Sequence, residues 1–370
     1  MRGIAAFPDE KQLKIVDHPE PHLETETDVK LRMLDVGVCG TDRKIARFEY
    51  GVAPASSPYL VLGHESLGEV TETGSAVKGI SPGDLVVIMV RRPCARPSCP
   101  ACAAGRPDFC LTGEFTERGI RGRHGFMTER VVDGQRYMHV VPHELREVGV
   151  LVEPLTIAEK AFIEVGHFQD RFPWMTEDRG PANGRRAVVL GAGPVGLLGA
   201  MALLARGLET WVYSLESKDS DEGIWVESVG GRYLSAKDAG PERLADIVGN
   251  IDLMYEATGA ARVSFQAMEM LGTNGVFIFT GVPDRQAPIE IDADLIMRNL
   301  VLKNQLAYGT VNAGPGAFRA AIADLREFDR RWPSELRAVI TGRYPPEGFE
   351  ALLLGPRRGI KRVIRFMETG

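Results

Sequence analysis

The sequence predicts an α/β protein in which a parallel, doubly wound sheet is inserted into a β-rich chain. Three observations predict it. Short apolar segments separated by Gly/Pro turns fill residues 1 to about 150. From residue 186 apolar strands alternate with helical patterns, the signature of a parallel sheet. The chain, at 370 residues, is too long for one ordinary hydrophobic core and implies about two domains.

In the first part, "VKLRMLDVGV", "GEVTETG" and "DLVVIMV" read as strands, with turns such as "SPGD" between them. "LTIAEKAFIEV" carries apolar residues at helical spacing and predicts a helix. "FQDRFPWMTEDRGPANG" is polar, broken by Pro and Gly, and reads as a connector. "RAVVLGAGPVGLLGAMALLARG" is a buried strand, a glycine turn and an apolar helix. "ETWVYSLE", "IDLMYEATGA" and "GVFIFTGV" are further strands, separated by patterns such as the helical "VSFQAMEMLG". The exposure of "GVFIFTGV" is unreadable from sequence, which leaves it open as a strand for an inter-subunit sheet. "LVLKNQLAYGTVNAG" leads into a last strand, "AFRAAIADLREF" is a helix and "KRVIRFM" a terminal strand. The expected division is residues 1–183 with a lobe at 94–110, an α/β domain at 184–309, and a return to the first domain at 310–370.

Composition excludes several classes. The chain is 44% apolar and 25% charged, as soluble globular proteins are. Its formal net charge is −6 with neither sign in a long run, which favours neither nucleic acid nor a membrane surface as partner. No apolar run approaches the roughly 20 residues of a membrane span. "MRGIAAFPDEKQLKIV" has no apolar core with a small-residue cleavage site, so a cytoplasmic protein is expected. A reducing cytoplasm disfavours disulfides, and five cysteines, an odd number, fit a disulfide framework poorly.

Four of those cysteines, Cys94, Cys99, Cys102 and Cys110, fall in "CARPSCPACAAGRPDFC". Four thiolates from one short loop can surround a zinc ion tetrahedrally, and a closed shell of this kind is structural. The rival readings are incidental cysteines or a redox pair at Cys99 and Cys102; a redox pair leaves Cys94 and Cys110 unexplained. The fifth, Cys39 in "CGTD", precedes His64 in "GHESLGEV", with Asp42 and Glu65 beside them. A catalytic zinc takes three protein ligands and an open position. Glu153, a carboxylate in the apolar "LVEPL", is a candidate third ligand because a buried acid needs a partner. Singly, each residue has a bland structural explanation.

"GAGPVG" places Gly191, Gly193 and Gly196 in G-x-G-x-x-G spacing, between a strand and a helix. The glycines serve a tight turn, backbone approach to a pyrophosphate and close helix–strand contact. The helix N-terminus offers free N–H groups to phosphate. Glu216, at the end of the second strand, would accept hydrogen bonds from the ribose hydroxyls of NAD and repel the extra phosphate of NADP. Ser214, Ser217 and Lys218 stand against this, so NADP stays open.

Together these residues resemble the zinc-dependent medium-chain dehydrogenases, which join a GroES-like catalytic domain to a Rossmann domain. The match spans essentially the whole chain: "CGTD", "GHESLG", the four-cysteine lobe, "GAGPVG" and "ATG". Within that family the chain is most similar to the glucose 1-dehydrogenase branch, through "DFCLTGEFTERGIRGRHGFMTE", "LVEPLTIAEKA" and "GTVNAG". The resemblance implies Cys39, His64 and Glu153 as catalytic zinc ligands, with Glu65 able to enter or leave the shell. It implies Asp42 behind His64, and Thr41 as the hydroxyl that takes the substrate proton. Glu114, Glu153 and Asn312 would face the sugar. Gly191, Gly193, Pro194, Val195, Gly196, Ser214, Glu216, Thr258, Gly281, Val282 and Asn312 would contact the cofactor. The implied reaction moves hydride from the anomeric carbon of an aldose, giving a lactone, to NAD or NADP. A homodimer or homotetramer is implied as well.

Two features depart from the branch. The first cysteine gap is longer than usual. Val90, Ile157 and Leu302 align with polar positions of its sugar pocket, where an unpaired hydroxyl costs roughly 1–3 kcal/mol. A dehydrogenase of a less polar secondary alcohol or cyclitol is therefore the alternative enzyme. A non-catalytic cofactor-binding scaffold is the alternative of another class; it predicts loss of zinc ligands or of Thr41, and none is lost.

Overall fold

The computed structural model describes residues 1–172, 184–284 and 287–366. The connector expected at 168–184 falls largely outside them. The chain forms two compact units. The first comprises Met1–Thr156, Asn312–Asp329 and Leu336–Gly370, and the second Ile157–Val311 with Arg330–Glu335. The division falls inside the helix Val152–Gln169, so the first turn belongs to one unit and the rest to the other, whereas the sequence suggested a boundary at 183.

The first unit is built on a long central strand, Asp28–Val38. Its pattern of alternating burial continues to full burial at the C-terminal end, where both neighbours cover it. Glu65–Thr73 pairs antiparallel on one side, and the chain's last strand, Lys361–Arg365, on the other. Leu85–Ile88 and Met138–Val141 extend the sheet beyond Glu65–Thr73, and Ile340–Tyr344 beyond Lys361–Arg365. In register, Gly37 faces Glu65 and Val363. A Cβ on Gly37 would overlap Glu65 Oε2 and stand 3.0 Å from Lys361 Cε. The missing side chain is what lets an acid and a base meet there. Val29, Leu31, Met33, Phe126, Met127 and Ile364 are among the residues forming the core beneath this sheet.

The second unit is a six-stranded parallel sheet. In space its strands run Arg232–Ser235, Glu209–Ser214, Arg186–Leu190, Leu253–Glu256, Val276–Phe279, Leu306–Gly309. The chain order is thus third, second, first, fourth, fifth, sixth, that of a doubly wound dinucleotide-binding sheet, with the order reversing at Arg186–Leu190. The strand in "GVFIFTGV" is paired on both sides, so it is interior; the edge on its side of the sheet is Leu306–Gly309. "LVLKN" ends the helix Ala293–Leu302 and does not begin the last strand. A short apolar run has no periodicity to separate the two readings.

Candidate functional site

Cys39 directly follows the central strand of the first unit and caps the helix Gly40–Ala46. Its Sγ accepts from the Thr41 N–H at 3.2 Å, and the Asp42 carboxylate accepts from the Cys39 N–H at 2.9 Å, a reciprocal cap. This local geometry fixes Cys39, Thr41 and Asp42 together. His64 arrives from the loop before Glu65–Thr73, and its Nε2 lies 3.2 Å from Cys39 Sγ. Its other ring nitrogen, Nδ1, is 3.2 Å from Asp42 Oδ1. Asp42 is fully buried, and its Oδ1 also accepts from the Gly63 N–H at 3.2 Å. Burial opposes a charged imidazole, but Asp42 and then Cys39 outweigh it, and the His64 pKa is held well above the ordinary value.

Glu65 and Lys361 form a buried ion pair beside this thiol and imidazole. Lys361 is 1% exposed and also donates to the Val38 carbonyl at 3.3 Å. Burial alone would lower its pKa, yet Glu65 keeps it raised. Nothing in the sequence pattern singled out Lys361; its one signal is a lysine in the apolar terminal strand. Cys39, His64 and Glu65 present ligand atoms all within 4.8 Å of one another. Glu153, in the first turn of its helix, stands outside that tight group. It is nonetheless buried, its pKa is pushed up to about 7 by burial, and it feels His64 and Glu65.

The four cysteines of the lobe also converge within 4.8 Å of one another. For Zn–S of about 2.3 Å and Zn–N of about 2.0 Å, tetrahedral geometry sets sulfur and nitrogen about 3.5 Å apart and two sulfurs about 3.8 Å apart. Cys94 Sγ and Cys102 Sγ are 3.7 Å apart, and the Cys39–His64 distance is likewise close to the metal-bound value. Both donor sets therefore fit zinc. The all-thiolate set suits a closed structural ion; the thiol–imidazole–carboxylate set suits one with an open position. With Asp42 Oδ1 beside Nδ1, Nε2 is the ring nitrogen left to face a metal.

Of the expected sugar-facing residues, Glu114 is exposed and held by Arg96 through two hydrogen bonds of 2.7 and 2.8 Å. Asn312, at φ 61°, donates to Glu117 Oε1 at 2.8 Å, and Glu117 is buried against Arg91. Val90 lies 3% exposed in the core of the first unit, whereas Leu302 is 64% exposed at a helix end in the second. His124 accepts from the Val61 N–H at 3.1 Å and packs on His18 and Tyr59, which makes it part of the framework.

In the second unit, Gly191 follows the central strand at φ 105°, a left-handed conformation that glycine adopts freely. A Cβ on Gly196 would overlap the Gly191 carbonyl oxygen, so the helix can approach the turn only without one. Pro194 is the first residue of the helix Pro194–Ala205, followed by Val195. Ser214 ends the second strand, and Glu216 lies exposed just beyond it. Thr258, Gly259 and Gly281 are tied together by Glu256, which sequence reading missed. This buried carboxylate accepts from the N–H groups of Thr258, Gly259 and Gly281 at 2.6, 2.7 and 3.1 Å, and from Thr258 Oγ1 at 2.6 Å. Its signal was an acid closing the apolar strand in "LMYEATG". Val282, next to Gly281, is exposed. Among the described residues no helix is long and apolar enough to cross a membrane.

Comparison with known proteins gives consistent matches. Residues 25–143 match the alcohol dehydrogenase GroES-like domain, and residues 146–366 the glucose dehydrogenase C-terminus. The chain is 36% identical to the glucose 1-dehydrogenase of Methanocella arvoryzae over 98% of this chain and 99% of that one. It is 37% identical to the glucose 1-dehydrogenase of Thermoproteus tenax over 99% of both. Among solved structures, Haloferax mediterranei glucose dehydrogenase in complex with NADP, Zn and gluconolactone superposes with a TM-score of 0.88, at 30% identity and over 100% of both chains.

Proposed function

The chain belongs to the glucose dehydrogenase family of zinc-dependent medium-chain dehydrogenases, and from that premise we propose that it oxidises an aldose such as D-glucose at the anomeric carbon. The product is the lactone, and the hydride goes to a nicotinamide cofactor. The observation that carries this reading is the 3.2 Å approach of Cys39 Sγ to His64 Nε2, with Asp42 behind the ring. Cys39, His64 and a carboxylate, Glu153 or Glu65, would hold zinc, which when bound acts as a Lewis acid on the substrate hydroxyl.

The protein's own residues do the rest. Asp42 fixes the His64 tautomer and ring orientation. Thr41, whose N–H is tied to Cys39, carries the hydroxyl that receives the substrate proton. Lys361 holds the Glu65 carboxylate in place. Asn312, braced by Glu117, presents an amide to sugar hydroxyls. Glu114 serves the sugar only by giving up part of its pairing to Arg96. The cysteine lobe holds a structural zinc.

NAD is the proposed cofactor, with NADP also accepted. Glu216 supports NAD through repulsion of a 2′-phosphate, while the Haloferax relative was solved with NADP. We assign the protein to the cytoplasm, as a homodimer or homotetramer. The exposed edge strand Leu306–Gly309 and the neighbouring exposed Met297, Val301 and Leu302 support self-association. Initial rates of NAD and NADP reduction across aldoses, polyols and secondary alcohols test the substrate. High kcat/KM for glucose or an epimer is expected; turnover only of poorly hydroxylated alcohols would refute the sugar assignment.

A further inference from the structure

In the first unit, three guanidinium groups crowd around a single buried carboxylate. Asp133 accepts from Arg92 Nη2 at 2.6 Å and from Arg118 Nε and Nη2 at 2.9 and 2.6 Å. Arg123 Nη2 stands 3.8 Å from the other oxygen of Asp133. The Arg92 and Arg118 side chains are 5% and 9% exposed, so both charges are buried. A fourth cation, Arg136, stacks on Tyr137 at 4.7 Å, and Arg92 stacks on the same ring at 3.9 Å.

Beside this cluster lies a cavity of about 690 Å³, lined by Arg92, Arg123, Arg136, Thr25, Thr27 and Gln135 among others. The other acid on its wall is Asp28, whose Oδ2 accepts from the N–H groups of Glu24 and Thr25. Four cations and two carboxylates leave a surplus of two positive charges. Arg123 and Arg136 reach solvent, whereas Arg92 and Arg118 are buried and share one carboxylate, and buried charges are costly unless paired. Arg92 Nε and Arg123 Nε are moreover buried without a hydrogen-bond partner. Guanidinium forks are matched to carboxylate and phosphate oxygens, and a surplus of two charges suits a dianion. The volume is that of a small-molecule site, with room for more than an oxyanion alone.

We propose that this cavity binds a phosphate dianion, free or carried on a sugar-sized molecule, at Arg92, Arg123 and Arg136. None of these residues belongs to the metal or nucleotide sites, so the proposal is independent of the substrate assignment.

Isothermal titration of the zinc-loaded enzyme with inorganic phosphate, glucose 6-phosphate and glucose tests it. The same titrations are made on the double variant Arg123→Gln/Arg136→Gln; these two side chains are the more exposed, so the fold tolerates their loss. Saturable phosphate binding is expected, weakened about 10- to 100-fold in the variant, with glucose oxidation unchanged. Equal affinity for both phosphates assigns the site to the free anion, and tighter binding of the ester to a phosphorylated sugar. No saturable binding, or an affinity unaltered in the double variant, would overturn the proposal.

Discussion

The ammonium of Lys361 pairs with the carboxylate of Glu65 across Gly37, a buried ion pair set between strands from opposite ends of the chain. Removing one member of a buried pair strands the other. Lys361→Met is therefore expected to cost about 3–5 kcal/mol of stability. Gly37→Ala places a methyl group against Glu65 Oε2 and is expected to cost about 1–3 kcal/mol. Urea unfolding of both variants measures this; wild-type midpoints would show that the pair is dispensable.

Glu256 gathers donors from two separate turns, at Thr258–Gly259 and at Gly281. Its role is to position those turns, which carry expected cofactor contacts. Glu256→Gln keeps the shape but puts an amide among N–H donors. Cofactor KM is expected to rise about tenfold, roughly 1.4 kcal/mol, with kcat much less affected. Dissociation constants from nicotinamide fluorescence should move in parallel with KM. A fall in kcat alone would assign Glu256 a different part.

Cofactor choice should follow the charge at the end of the second strand. In Glu216→Arg, kcat/KM is expected to fall for NAD and rise for NADP, by about tenfold or more in ratio. An unchanged ratio would place the discrimination at Ser214, Ser217 or Lys218.

Stability should depend on pH through His139. Its ring stacks on Phe318 at 5.0 Å, and burial lowers its pKa to about 4. The unfolded chain then binds the proton more readily, so this contribution is complete above the ordinary histidine value near 6.5. It is lost as pH falls from there through 4. His139→Phe keeps a stacked ring and removes the proton site. Denaturant unfolding from pH 7 to pH 4 should show a shallower loss of stability in the variant; parallel profiles would exclude His139.

Much of this was legible in the chain. Apolar strands and helical periodicity located the main elements, and the glycine turn stood out because its spacing sits between a strand and a helix. The cysteine cluster and the "CGTD" run are local in sequence, so local pattern revealed them, whereas the cap that Cys39 and Asp42 build at the start of the helix was not read. Lys361 was not legible, because its partner Glu65 is brought to it by strand order rather than by spacing. Glu256 and Glu117 were hidden for the same reason: each binds groups distant along the chain. Leu302, aligned with a pocket position in the sequence, lies exposed at a helix end.

The most direct test of the metal-centred reading is the zinc content of purified wild type and Cys39→Ala, measured with turnover of glucose on the same samples. Two zinc ions per wild-type chain are expected, and one in Cys39→Ala with the fold intact and turnover abolished. Cys39→Ala that keeps its full zinc content and full activity would contradict the assignment of Cys39 and His64 as the reacting metal's ligands.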